Sequence, residues 1–256
     1  MFNNSFIYET RYHRRALLCG IINRHTFGYF LILTNTKVTF KQKIMKILLI
    51  GGSGNIGQRI VKEALQKGYS INAVQRNPGK LSIKDPNLTI SKGDMLNVAE
   101  LQALVKDADV VVSANSPHDP VEFKQAYTNL INIMEKEPSK RIIIVGGAAS
   151  TEIKPGLRMI DSPEAMGHTP KEWHPAIHAH AEVLGLFKAS NTNWTYFSPA
   201  MIIEAGERTG KYRLGGTNMI FDAKGNSHIS YEDYAVALVD EIANPKHLRQ
   251  QMSIAY

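Results

Sequence analysis

From residue 45 onward the apolar positions switch between two periods. Ile47, Leu48, Leu49 and Ile50 form an unbroken apolar run, as in a strand buried on both faces of a parallel sheet. Ile56, Ile60, Val61, Ala64 and Leu65 then recur at helical spacing, which predicts a helix over about 55–67 that Gly68 ends. The same switch repeats along the chain. Strands are expected at 70–75, 88–91, 109–114 and 141–145, with helices from the capping-box pattern Asn97–Glu100 to about Lys106 and from Asp119-Pro120 to about Lys136. Residues 146–169, rich in Gly, Pro and polar side chains, read as a long loop able to close over a substrate. Beyond them the pattern predicts a helix over about 173–190, a strand at 194–197 and a small hairpin from Tyr212–Leu214 and Met219–Phe221. A helix capped by Ser230, with Ala235, Leu238, Val239 and Ile242 on one face, and a final strand at 252–256 complete it. Two βαβ halves with short connections predict an α/β fold, a Rossmann-type doubly wound parallel sheet, with a small C-terminal substrate-side lobe from about residue 151.

The junction of the first strand and first helix carries the chemistry. Gly51, Gly54 and Gly57 stand in a G-x-x-G-x-x-G pattern. Gly51 permits a sharp turn, Gly54 lets a pyrophosphate approach the backbone, and Gly57 lets the helix pack close to the sheet. The expected phosphate cradle is Gly51, Ser53, Gly54, Asn55, Ile56 and Gly57, with amide hydrogens at the helix start facing the charge. The alternative is a plain strand-to-helix turn in another α/β protein. A glycine triplet alone is weak evidence, but here a buried strand precedes it and an amphipathic helix follows.

The second strand decides between the two nicotinamide dinucleotides. Where NAD-specific folds place an acid to bind the ribose hydroxyls, this chain reads Ala73-Val74-Gln75-Arg76-Asn77. Arg76 suits a 2′-phosphate, which an acid would repel, so NADP(H) is expected in preference to NAD(H); a solvated surface arginine is the alternative. Asp94 is expected to bind the adenine amino group, with Met95 packing on the ring, or else Asp94 is simply a helix-entry acid. Ala114 and Asn115, followed by Ser116, are expected to line the nicotinamide side.

Composition narrows the class. The 256 residues contain a single cysteine, which excludes an internal disulfide framework and fits a reducing, cytoplasmic setting. The net charge of +7 suggests nucleic acid at first sight, but residues 1–44 carry seven Lys/Arg against Glu9 alone, leaving residues 45–256 at +1. No nucleic-acid partner is expected. No membrane span is expected either, because the apolar stretches 16–22 and 29–34 fall short of the roughly 18–20 residues needed. Arg14-Arg15 before an apolar run admits a signal peptide, but no small-residue cleavage site follows. Residues 1–44 therefore read as an upstream extension, poorly ordered or from a misassigned start, and residues 45–256 as the dinucleotide-binding domain.

The motifs together resemble an atypical short-chain dehydrogenase/reductase. The glycine turn, Arg76 and Gly93-Asp94 match the NAD(P)H-binding half. Ser198-Pro199-Ala200, Gly206–Gly210 and Ser227–Ala235 resemble the NADH-flavin reductase group, which is similar to biliverdin reductase B and the NmrA-like proteins. The resemblance implies a cytosolic reductase-like fold with a nicotinamide cofactor.

The chain departs from ordinary short-chain dehydrogenases at their Tyr-x-x-x-Lys pair. Counting back from Glu182 puts His178 at the Lys position and His174 at the Tyr position. Carbonyl reduction needs a proton delivered to a developing alkoxide, which that pair provides. Flavin reduction does not, because hydride goes to N5 and the ring delocalises the charge. The expected function is therefore an NAD(P)H-dependent reductase acting on a small flavin or quinone-like acceptor, as a monomer or homodimer. A non-catalytic NADP(H) redox sensor and a nucleotide-sugar epimerase or dehydratase are the alternatives. His178, His118 and Ser150 are the catalytic candidates. His174 and His178 share a helix face, but no third ligand is evident, so no metal is expected. His180 and the tryptophans Trp173 and Trp194 read as packing residues, with Trp173 also placed to edge the pocket.

Overall fold

Neighbouring residues of a strand face opposite sides of the sheet. In β1 (Lys46–Ile50) Ile47 and Leu49 join one core layer and Leu48 and Ile50 the other, and all four are buried. The computed structural model describes residues 29–34, 37–42 and 44–256. The remaining strands of the main sheet are β2 (Ser70–Gln75), β3 (Leu88–Lys92), β4 (Val110–Ser113), β5 (Arg141–Val145), β6 (Asn193–Ser198), β7 (Arg213–Gly215) and β8 (Gln250–Ala255). Their order is β7-β8-β6-β5-β4-β1-β2-β3, parallel throughout except where β7 runs against β8. The order reverses between β1 and β4, as a doubly wound Rossmann sheet requires.

Helices α1 (Asn55–Gln66) and α5 (Tyr231–Ala243) cover one face through Ile60, Val61, Ala64, Tyr234, Leu238 and Ile242. On the other face lie α2 (Val98–Lys106), α3 (Pro120–Met134) and α4 (His174–Ala189), which bury Leu101, Val105, Tyr127, Leu130, Val183 and Phe187. Each buried Val, Leu, Ile or Phe side chain among these contributes about 1.5–3 kcal/mol on removal from water. Asn97 caps α2 by accepting the Glu100 N–H at 3.3 Å, but the reciprocal half of the capping box is missing: Glu100 reaches past Asn97 to the Asp94 N–H at 3.3 Å. None of the helices in the described residues is long and apolar enough to cross a membrane.

Two expectations for the C-terminal half need correction. Tyr212–Leu214 and Met219–Phe221 do not form a hairpin. Arg213–Gly215 pairs with β8 instead, Arg213 opposite Ala255, while Asn218 bridges Glu152. The edge of β8 takes up Arg213–Gly215, and Met219 is drawn down into a satellite core with Ala149 and Met159. Nor are residues 146–169 a bare loop. They fold into a small hairpin (Glu152–Lys154 with Leu157–Arg158) and a short helix (Pro163–Gly167), tied to Thr217 and Met219 by backbone hydrogen bonds of 2.8 Å from and to Glu152.

The segment 206–210 is stitched to both helices of its face. Gly206 N–H donates to Glu232 at 2.9 Å, Arg208 forks onto Glu63 at 2.6 and 3.0 Å, and Thr209 and Gly210 N–H donate to Asp233 at 3.2 and 2.8 Å. The Gly206–Gly210 and Ser227–Ala235 motifs thus serve a common structural joint, with Ser230 capping α5.

Upstream, Tyr29–Thr34 pairs antiparallel with Lys37–Gln42, in a unit of its own. The rest of residues 1–43, and the expectation of a poorly ordered or misassigned extension, lies outside the described residues.

Candidate active site

At the carboxyl ends of β1, β2 and β4 the chain opens a cleft of about 240 Å³. A switch point leaves such a crevice because the connections from β1 and β4 leave toward opposite faces of the sheet. The glycine turn forms its floor. Gly51 sits at φ +84°, and a Cβ there would meet the Ala114 carbonyl oxygen at 2.6 Å, so the β1 turn fits against the end of β4 only as glycine. Gly57 is fixed by proximity: a Cβ would lie 2.2 Å from the Gly51 carbonyl oxygen. Gly54 differs. A Cβ there would meet only the Gly51 carbonyl oxygen, at 3.4 Å, and Gly54 is exposed and lines the cleft.

Gly54 is also the N-cap of α1 and offers no side-chain acceptor; the first turn carries no acidic residue. The amides at the start of the helix and the positive end of its dipole are therefore left for a ligand. Asn55, Ile56 and Gly57 supply backbone to this first turn without lining the cleft, whereas Ser53 lines it and its carbonyl accepts the Gln58 amide at 2.8 Å.

At the β2 end the cleft carries Arg76 and Lys80. Both are exposed, and neither side chain pairs with an acid among the described residues. Lys80 is a further cation beyond those the strand-end pattern singled out. It is brought back by the turn Pro78–Lys80, which Gln75 holds through its side-chain amide on the Pro78 carbonyl at 3.2 Å. The other Gln75 amide atom, Oε1, is buried without a partner among the described residues. Farther round, Asp94 lines the cleft with one carboxylate oxygen accepting the Leu96 N–H at 3.0 Å, so it does serve the turn into α2. Met95 is buried beneath it, its sulfur 3.7 Å from the Asn115 amide. Ala114, Asn115, Ser116 and His118 line the β4 side, and Phe123 and Ala126 of α3 close the wall.

The three catalytic candidates separate. His118 stands exposed in the cleft. Ser150 is buried away from it, donating to the Gly147 carbonyl at 2.8 Å and accepting from Gln251 at 3.2 Å. His178 is exposed on α4 and does not line the cleft, while its neighbour His174 meets the Thr169 hydroxyl at 2.9 Å. Trp173 is 59 % exposed, and Trp194 is buried in the core.

A model of the NAD(P)H-binding family matches residues 51–245. The chain belongs to this NAD(P)H-binding family. The Bacillus subtilis protein YwnB, itself uncharacterised, is 35% identical over 219 residues, spanning 82% of this chain and 98% of YwnB. Among solved structures, a provisionally assigned epimerase of Bacteroides thetaiotaomicron is 40% identical, with a TM-score of 0.77 over 84% of this chain and 98% of its own. A provisionally assigned NADH-flavin reductase of Streptococcus pneumoniae is 31% identical, with a TM-score of 0.71 over 82% and 99%.

A nicotinamide cofactor of this NAD(P)H-binding family fits the residues present. Room at Gly54 bounded only by the Gly51 carbonyl oxygen, an uncapped helix start and two cations without an acidic partner among the described residues suit a diphosphate with a further anionic group. The turn 51–57 would hold the diphosphate, and the β2 end would hold the adenosine half.

Proposed function

We propose that the protein is an NADPH-dependent reductase that passes hydride to a flavin or quinone-like acceptor. The observation that carries this reading is the placement of the tyrosines. None lines the cleft among the described residues. Tyr127, Tyr196 and Tyr234 are instead buried, with hydroxyls engaged by Ser113 at 2.8 Å, by His180 and Gly147 at 3.0 and 3.1 Å, and by the Phe197 carbonyl at 2.7 Å. Burial pushes all three above the ordinary tyrosine range, opposite to what proton donation at neutral pH needs.

A bound nicotinamide supplies the hydride. The chain's own part is to seat the diphosphate on the 51–57 turn, to clamp a 2′-phosphate between Arg76 and Lys80, and to exclude water with Phe123, Ala126 and Met95. A delocalised acceptor then needs alignment rather than a protein acid. The 31% identical relative assigned provisionally as an NADH-flavin reductase supports the same class. The epimerase assignment of the Bacteroides relative points elsewhere; oxidation of a sugar hydroxyl needs a base, and the cleft offers no tyrosine for that role, which leaves His118 as the candidate for that alternative.

A stopped-flow screen of NADPH oxidation against flavins, quinones and simple aldehydes tests this, with turnover expected for the first two. Turnover of aldehydes alone, or tight binding with no turnover of any acceptor, would overturn it, the latter in favour of a redox sensor. Arg76→Glu in the same assay is expected to weaken NADPH about 100-fold, since it removes a charge-assisted hydrogen bond and adds repulsion, and to change NADH by less than about threefold. Equal losses for both cofactors would remove the 2′-phosphate assignment.

A further inference from the structure

Where β6 and β8 begin, the molecule carries a second cavity, of about 480 Å³. It shares no lining residue with the cleft and lies toward the amino ends of its strands, where the cleft lies at carboxyl ends. The alternation of β8 explains it. Met252 and Ile254 point into the core layer of α1 and α5, so Gln251 takes the opposite face, beside Tyr196 in register. On that face α4 buries Trp194 and Tyr196, but β8 contributes no residue to the apolar layer. The last parallel strand therefore turns a polar side toward the end of α4.

The floor of the cavity holds an unused acceptor. Gln251 is 6 % exposed. Its side-chain nitrogen donates to the Ser150 and Ser198 hydroxyls at 3.2 and 3.1 Å, while its Oε1 accepts no hydrogen bond among the described residues and is not enclosed. A buried amide with a reachable, unpaired oxygen calls for a donor. The rim is cationic. Lys188 and Arg249 line it, both exposed and neither paired with an acid among the described residues, and no acid lines the cavity. Arg249 is held by its N–H on the Trp194 carbonyl at 2.6 Å and by Nη2 on the Ser190 carbonyl at 3.0 Å, which leaves guanidinium donors to spare. Its φ of +56° is the single left-handed value at a non-glycine residue among the described residues. Such a backbone is costly for a side chain, and it recurs where ligands are clamped.

We propose that this cavity is a second ligand site, for a phosphorylated sugar. Lys188 and Arg249 hold the phosphate, a sugar hydroxyl donates to Gln251 Oε1, and the Thr217 hydroxyl meets another. Buried Trp194 gives the apolar wall on which the C–H face of the sugar rests. The volume is that of a small-metabolite site. The assignment is independent of the cofactor reading above.

Titration with glucose 6-phosphate, followed by calorimetry and by the Trp194 indole N–H resonance, tests this. The chain has two tryptophans, so Trp173→Phe assigns the Trp194 signal. That signal is expected to shift and saturate below about 10 mM, with glucose or inorganic phosphate alone binding at least about tenfold more weakly. Arg249→Gly removes the guanidinium and suits the left-handed backbone, so it is expected to lose about tenfold or more in affinity and to melt close to the parent. Lys188→Glu gives a similar loss with the backbone untouched. Arg76→Glu, in the cofactor cleft, leaves the affinity unchanged. A Trp194 signal unmoved at about 10 mM, inorganic phosphate binding as well as the sugar phosphate, affinity retained in both Arg249→Gly and Lys188→Glu, or a loss caused by Arg76→Glu overturns the proposal.

Discussion

A Gly54→Glu chain folds like the parent and binds neither NADPH nor NADH. The new Cβ meets only the Gly51 carbonyl oxygen, at 3.4 Å, an ordinary van der Waals contact, so the fold has nothing to repack. The carboxylate then occupies the place a diphosphate needs and supplies the acceptor that the uncapped α1 lacks. Charge-assisted hydrogen bonds of about 1.5–3 kcal/mol are lost and repulsion is added, so affinity should fall at least about 100-fold for both cofactors. Calorimetry measures the affinity and thermal denaturation checks the fold. Parent-like affinity in this variant would sink the phosphate-cradle assignment.

Gly57→Ala has the opposite profile: the chain is expected to lose about 3 kcal/mol or more of stability. Its Cβ would sit 2.2 Å from the Gly51 carbonyl oxygen and 3.0 Å from Gly52 Cα, both backbone and neither free to swing aside. Nor can α1 slide away, because Ile60, Val61 and Ala64 are fully buried against the sheet. Urea denaturation reports the loss directly. A midpoint within error of the parent would mean that the turn yields, and that the tight seat of α1 is not a structural requirement. Gly54→Ala serves as the contrast, with little change in stability expected.

The glycine pattern assigns the three positions different roles, and in the structure protein backbone crowds a would-be Cβ at Gly51 and Gly57, at 2.6 and 2.2 Å, and leaves room at Gly54. The first five strands and three helices were legible because their apolar runs are long and their connections short. The partner of Arg213–Gly215 was not, because β8 lies far along the chain and no local pattern encodes a distant edge. Helical spacing put His174 and His178 on one face of α4, but neither lines the cleft, because which face of α4 the other elements cover is set by residues distant in the chain. Ser150 was placed near the site by chain position alone, and its hydroxyl turned inward to Gly147. Lys80 had a readable signal: the Asn77-Pro78-Gly79 turn that folds it back over the end of β2.

Helix α1 meets the cradle at its first residues and the 206–210 segment farther along, where Glu63 receives the fork of Arg208 and Arg59 reaches Glu232 at 2.9 Å. Any local opening that frees that segment must first break charged hydrogen bonds seated on the helix that begins at the glycine turn. A ligand that steadies the amino end of α1 therefore raises the free energy of every fluctuation in which helix and segment come loose together.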